Sequence, residues 1–226
     1  MQAFLGLDIG TTSTIGILIA LPDKVLAIAS RPVSLRTPKP GWAEEDPEEW
    51  WSNVCAILAE FRERGIDTRA IAAVGVTGML PAVVLLDAEG RLIRPSIQQS
   101  DGRCGAEVED LKAEIDPLRF LKKAGNGVNQ QLVLAKLRWI ERHEPENFAR
   151  IATVFGSYDY INWRLTGERA IEQNWALEAG FVALDRLEID PELTALAHIS
   201  PAALPPRSVS HAILGAVTKE AAAATG

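Results

Sequence analysis

The sequence predicts a mixed α/β sheet with flanking helices, and three observations carry that expectation. Residues 3–8, 14–21 and 25–35 are short apolar, β-branched runs joined by tight turns, the pattern of an antiparallel meander. Trp50, Trp51, Val54, Ile57, Leu58 and Phe61 then recur at helical spacing. A continuous apolar run, residues 71–76, follows that helix. A strand returning after a crossover helix lies parallel to the first, so the sheet is mixed.

The elements follow in order. Phe4, Leu5 and Leu7 make the first strand, and Pro22-Asp23-Lys24 is turn chemistry between the second and third. The stretch 38–41 breaks the chain. Asp46 is placed to cap the first helix, Pro47 suits its first position, Glu49 completes a capping-box pattern, and Gly65 ends it. The run 71–76 is expected to be a central parallel strand, buried on both faces. Residues 82–86 form another strand, closed by the turn 87–90. Helices are expected over 104–115, 117–124, 132–143, 157–165, 191–197 and 219–224, with short strands at 151–155 and 213–217. No internal repeat is present.

Composition narrows the function. The chain has 226 residues, 47% hydrophobic and 23% charged, enough for one large domain or two small ones. Its 23 Lys+Arg against 30 Asp+Glu give a formal charge of −7, which argues against nucleic acid or an anionic membrane as partner. Cys55 and Cys104 are too few for a disulfide framework or a Cys-rich zinc site, and His143, His198 and His211 are scattered. The first residues carry no basic region and no long apolar run, so a cytoplasmic location is expected.

The sharpest local feature is Asp8-Ile9-Gly10-Thr11-Thr12-Ser13, between the first two strands. Gly10 allows a tight bend and leaves room for a ligand. Backbone N–H groups and the hydroxyls of Thr11, Thr12 and Ser13 can point at phosphate oxygens. Asp8, at a strand end, can hold magnesium directly or through water. The other reading is a Thr/Ser-rich hairpin turn whose Asp bonds its own backbone. No Gly-Lys-Ser/Thr follows, so this is not a Walker loop.

That turn resembles the first phosphate loop of the FGGY carbohydrate kinases, in the xylulokinase-like branch. Further matches follow in the family's order: residues 42–51 (Trp-Ala-Glu-Glu-Asp-Pro-Glu-Glu-Trp-Trp), 76–79, Asp101-Gly102-Arg103, 136–143, Tyr158-Asp159-Tyr160 and 165–168. The resemblance implies a ribonuclease-H-like (actin-like ATPase) fold and two domains with a cleft between them. It implies ATP and Mg2+ as cofactors and a sugar or polyol, such as xylulose or another pentulose, as substrate. It places residues 1–226 as the N-terminal sugar-binding domain, truncated before the last core strand and without the C-terminal nucleotide domain. The family's base, an Asp in a Gly-Gly-Asp-like strand end, is expected beyond Gly226, so no catalytic residue is assigned here and the chain alone is expected to be inactive. An exposed sheet edge would then favour a homodimer.

The same resemblance places Met79, Leu80, Pro81, Gln99, Asp101 and Gln131 in the substrate pocket. Here the chain departs from that family's pattern. Met79-Leu80-Pro81 stands where xylulokinases have Gln-Met-His, Gln99 where many members have tryptophan, and Gln131 where glycerol kinase has tyrosine. Gln98, Gln99, Asn129, Gln130 and Gln131 supply amides suited to a polyhydroxylated ligand, or are loop amides facing solvent. Asp101 and Arg103 are a substrate contact or an ion pair that shapes the loop. A competing reading of the whole chain is a non-catalytic sugar-binding module; the sequence downstream of Gly226 separates the two.

Overall fold

A computed structural model describes residues 2–226. Strands β1 (Ala3–Ile9), β2 (Ser13–Ala20) and β3 (Lys24–Pro32) form the expected antiparallel meander. The two-residue strand β4 (Glu44–Glu45) leads into helix α1 (Pro47–Glu63), and β5 (Ile71–Gly78) returns parallel to β1. The sheet order is β3-β2-β1-β5. Alternate residues of β1, Ala3, Leu5, Leu7 and Ile9, are buried, as are Trp50, Val54, Ile57 and Phe61 of α1. Gly16 of β2 lets the helix lie close, because a Cβ there would sit 2.5 Å from Ile57 Cγ2. The opposite face of the meander shows Ile17, Ile19, Val25 and Ile28 to solvent.

The second half wraps one end of this sheet. It comprises β6 (Val84–Leu86), β7 (Ser96–Ile97), α2 (Gly105–Glu114), α3 (Pro117–Ala124) and α4 (Val133–His143). Then come α5 (Pro145–Phe148), β8 (Thr153–Phe155), α6 (Ser157–Thr166), β9 (Ile171–Glu172) and α7 (Gln173–Glu178). The chain closes with β10 (Val182–Ala183), β11 (Glu188–Ile189), α8 (Pro191–Ala195), β12 (Arg207–Ser208) and α9 (Lys219–Thr225). Small ladders tie these together: β4 to β7, β6 to β8, β10 to β11 and β9 to β12.

Three sequence expectations are corrected. Asp46 caps α1 by accepting the Glu48 N–H at 3.0 Å, but Glu49 does not close the box. Its carboxylate instead accepts the N–H and hydroxyl of Ser34, at 3.1 and 2.9 Å, and so ties the end of the meander to the helix. The strand expected to be central, β5, is an edge: it pairs with β1 alone, and Ala72, Ala73, Gly75 and Thr77 are exposed. An apolar run marks a strand meant to be covered, not which neighbours cover it. Residues 213–217 form no strand; Ile213 is 95% exposed, and the stretch finds no ladder partner. Instead, residues 208–217 run opposite the open edge of β5, leaving a groove of about 640 Å³ whose other lining includes Tyr158 and Asn162.

Candidate functional site

Residues 10–13, expected to bind phosphate, follow the C-terminal end of β1 and lie beside that of β5, where parallel strands of an α/β sheet open toward ligands. The turn is held by its own backbone. Gly10 N–H donates to Ser13 O at 3.0 Å, and Val33 N–H to Thr12 O at 3.0 Å. A Cβ on Gly10 would sit 2.9 Å from Ser13 O, so glycine is required by the close approach. Thr11 and Ser13 are half-buried and Thr12 is exposed, which leaves these hydroxyls at the rim of the site. Gly78 lets the end of β5 touch the end of β1: a Cβ there would fall 2.7 Å from Ile9 O. Met79 N–H then donates to Ile9 O at 2.9 Å, and Thr11 Oγ1 lies 3.9 Å from Met79 Sδ. The phosphate loop and the Met79–Pro81 segment are thus in direct contact.

Asp8 stands opposite Thr77 on β5 and Ile15 on β2. It lines a hollow of about 360 Å³ with Gly6, Gly75, Thr77 and Ser210. Among the described residues, no side chain or backbone group bonds its carboxylate, so both oxygens are free for a ligand. Sequence reasoning missed Thr77 and Ser210. A lone polar residue ending an apolar strand is the signal that could have found Thr77; Ser210 comes from a distant loop that only the fold brings in.

Behind this hollow sit buried Asp159 and half-buried Glu172. Asp159 accepts the N–H groups of Gly156 at 3.0 Å and Glu172 at 2.9 Å, and burial pushes its carboxyl up to about 7. Glu172 accepts from the Tyr158 hydroxyl at 2.9 Å and the Ser210 hydroxyl at 2.8 Å. Burial also pushes Glu45 up to about 7, against the hydrogen bond it accepts from the Trp50 indole at 2.9 Å. Both groups therefore bind protons more tightly in the folded chain than at their ordinary values of 3.8 and 4.5. The stability they add is complete below those ordinary values and is lost as pH rises through about 7. The melting temperature is expected to fall by about 5 °C or more between pH 5 and pH 8, and Glu45→Gln to flatten part of that slope. A melting temperature that rises over this range would refute the assignment.

The residues expected to line the substrate pocket come from three segments, 79–81, 99–101 and 131. Met79 and Pro81 are buried and Leu80 half-buried; the Leu80–Pro81 peptide is cis. Trp175 fixes the next residue, donating its indole N–H to Ala82 O at 2.8 Å. Gln99 is half-buried beside buried Gln98. Asp101 is fully buried and both its oxygens are engaged. They accept Ala43 N–H at 2.5 Å and pair with Arg103 at 2.8 and 2.7 Å. Arg103 is also paired with Glu44 at 2.8 Å and lies 3.8 Å over the Trp42 ring. Of the two readings of Asp101, the geometry carries the loop-shaping one. Its loop meets the next: Gln130 Oε1 would lie 3.1 Å from a Cβ on Gly102. The Gln131 side chain is exposed on that neighbouring loop.

The model for the FGGY family of carbohydrate kinases, N-terminal domain, matches residues 3–226. The chain belongs to this family. Xylulose kinase of Escherichia coli K12 is 30% identical over 99% of this chain and 46% of its own length. A glycerol kinase of Nocardia farcinica is 31% identical over 94% of this chain and 44% of its own. The crystal structure of xylulose kinase from Rhodospirillum rubrum superimposes with a TM-score of 0.96, at 60% identity, over all of this chain and 47% of that one. The FGGY chain described here thus spans about half the length of the curated relatives it matches. Its mixed sheet is the actin-like ATPase sheet of these sugar kinases. Among the described residues, no cluster of three or more His, Cys, Asp or Glu is placed to hold a metal, and no helix is long and apolar enough to cross a membrane.

Proposed function

We propose that the whole protein is a cytoplasmic, ATP-dependent kinase of a pentulose of the xylulose type, and that residues 1–226 supply its sugar-binding half. The observation that carries this reading is the contact between the Gly10–Ser13 turn and Met79, which sets the donors of the turn beside the Met79–Pro81 segment. In this reading Gly10, Thr11, Thr12 and Ser13 hold the β/γ-phosphates of ATP through N–H and hydroxyl donors. The free Asp8 carboxylate fits Mg2+, which binds through one or two carboxylates plus phosphate and water oxygens. Magnesium, when bound, neutralises charge on the transferred phosphoryl group. Leu80 and Pro81 give the sugar an apolar wall. Gln99 and Gln131 offer donors and acceptors to its hydroxyls, and Met79 joins the two halves.

No carboxylate of residues 1–226 is assigned as the general base. The groove along β5 supports a further strand there: its wall is an unpaired strand edge, and one added parallel strand would end beside Asp8 and Thr77. We place the base at the end of that strand.

The reading is tested by measuring sugar-dependent ADP release by the whole protein with D-xylulose, D-ribulose, glycerol and gluconate. D-Xylulose is expected to give the highest kcat/KM, by about tenfold or more. Preference for glycerol or gluconate, or ADP release that no sugar stimulates, would overturn it.

A further inference from the structure

We propose that Lys136 is a positioning residue for the sugar pocket, fixing the 129–131 loop from inside the fold. The proposal rests on that loop being a wall of the sugar pocket. Lys136 lies in the first turn of α4 with no exposed surface. Its ammonium has three donors, and its hydrogen-bond partner among the described residues is Gln131 O, at 3.5 Å. The preceding carbonyl, Gln130 O, accepts from Cys104 Sγ at 3.5 Å. Two consecutive carbonyls are therefore held from beneath, while Asn129, Gln130 and Gln131 are exposed. The loop is closed on itself by Gln131 N–H to Asn129 Oδ1, at 2.8 Å, and Leu132 N–H to Asn129 O, at 3.2 Å.

The side chains beside it on the helix are apolar, and the Asp101 carboxylate that faces it is already paired with Arg103. Leu134, Ala135, Leu137 and Ile140 around it are buried apolar side chains. A cation in the first turn of a helix opposes the helix dipole, and a buried one loses its hydration. Both effects lower stability, so what Lys136 contributes is local: the fixed path of the loop backbone. The charged and titratable groups facing it are Cys104, Asp101 and Arg103, and burial lowers its amine to about 8.

The test is Lys136→Met, which keeps the length of the side chain and removes the donor. Amide exchange at Gln131 and Leu132 is expected to rise about tenfold, with β1 and the later turns of α4 unchanged and the melting temperature not lowered. The calorimetric Kd for D-xylulose is expected to weaken about tenfold. Wild-type affinity should fall more steeply than the variant's between about pH 7 and pH 9, as the ammonium loses its charge and one of its three donors and the bond to Gln131 O weakens. The wild-type profile needs no variant to fold. Unchanged exchange at Gln131 and Leu132, or exchange that rises everywhere with a lower melting temperature, overturns the proposal. A loosened loop with wild-type xylulose binding also overturns it, and would locate the fault in the reading of 129–131 as a pocket wall.

Discussion

Asp8→Asn in the whole kinase is expected to lower kcat for D-xylulose phosphorylation by about 10³-fold or more. The sugar Kd should stay within about twofold. The reason is positional. Asp8 stands beside Thr77 at the parallel strand ends, in a hollow of about 360 Å³, and among the described residues no group bonds its carboxylate. Removing the charge therefore breaks no structural bond, and the fold should melt as before. What is lost is the anion that would hold magnesium against the phosphates. Steady-state kinetics with a magnesium titration gives the answer. A variant that keeps more than about a tenth of wild-type kcat would show that Asp8 carries no such role.

Gly156→Ala is expected to cost about 2–3 kcal/mol in unfolding free energy. The new Cβ would lie 2.4 Å from Trp175 Cδ1 and 2.7 Å from its Nε1, so the indole must move. Trp175 is fully buried, and its N–H holds Ala82 O, one residue past Pro81. Gly156 also precedes Ser157, whose hydroxyl donates to Met79 O at 3.0 Å. One methyl group thus disturbs both ties that fix the Met79–Pro81 segment. Denaturant unfolding measures the cost, and sugar binding should weaken even where the variant is folded. A loss below about 1 kcal/mol would mean the indole has room that the packing denies it.

Local chemistry was legible in the sequence where a single element decides it. The meander follows from alternation and from Pro22-Asp23-Lys24, and α1 from its apolar spacing, Asp46 and Pro47. The 8–13 turn is legible because Gly10 and three hydroxyl residues sit between two strands, and the structure places them at the strand ends. Legibility fails where a distant segment supplies the partner. Glu49 has the spacing of a capping box, but the competing donors of Ser34 arrive from the meander. Residues 213–217 have strand composition but lie across a groove from the free edge of β5. Asp101 has the look of a ligand contact, yet Ala43 and Arg103 take both oxygens. Ser210 lines the Asp8 hollow from a loop, and Glu172 holds Ser210 from the end of β9; no motif connects them.

The central claim is that residues 1–226 carry a sugar site next to a phosphate loop. Calorimetric titration of this chain with D-xylulose, with Gln99→Ala and Thr12→Ala as paired variants, tests it most directly, because the Thr12 side chain is exposed and its loss leaves the backbone of the turn intact. The account predicts saturable binding that Gln99→Ala weakens by about tenfold and Thr12→Ala leaves nearly unchanged. Binding that responds to Thr12→Ala but not to Gln99→Ala would contradict it, because the sugar would then lie on the 10–13 turn and not beside Gln99.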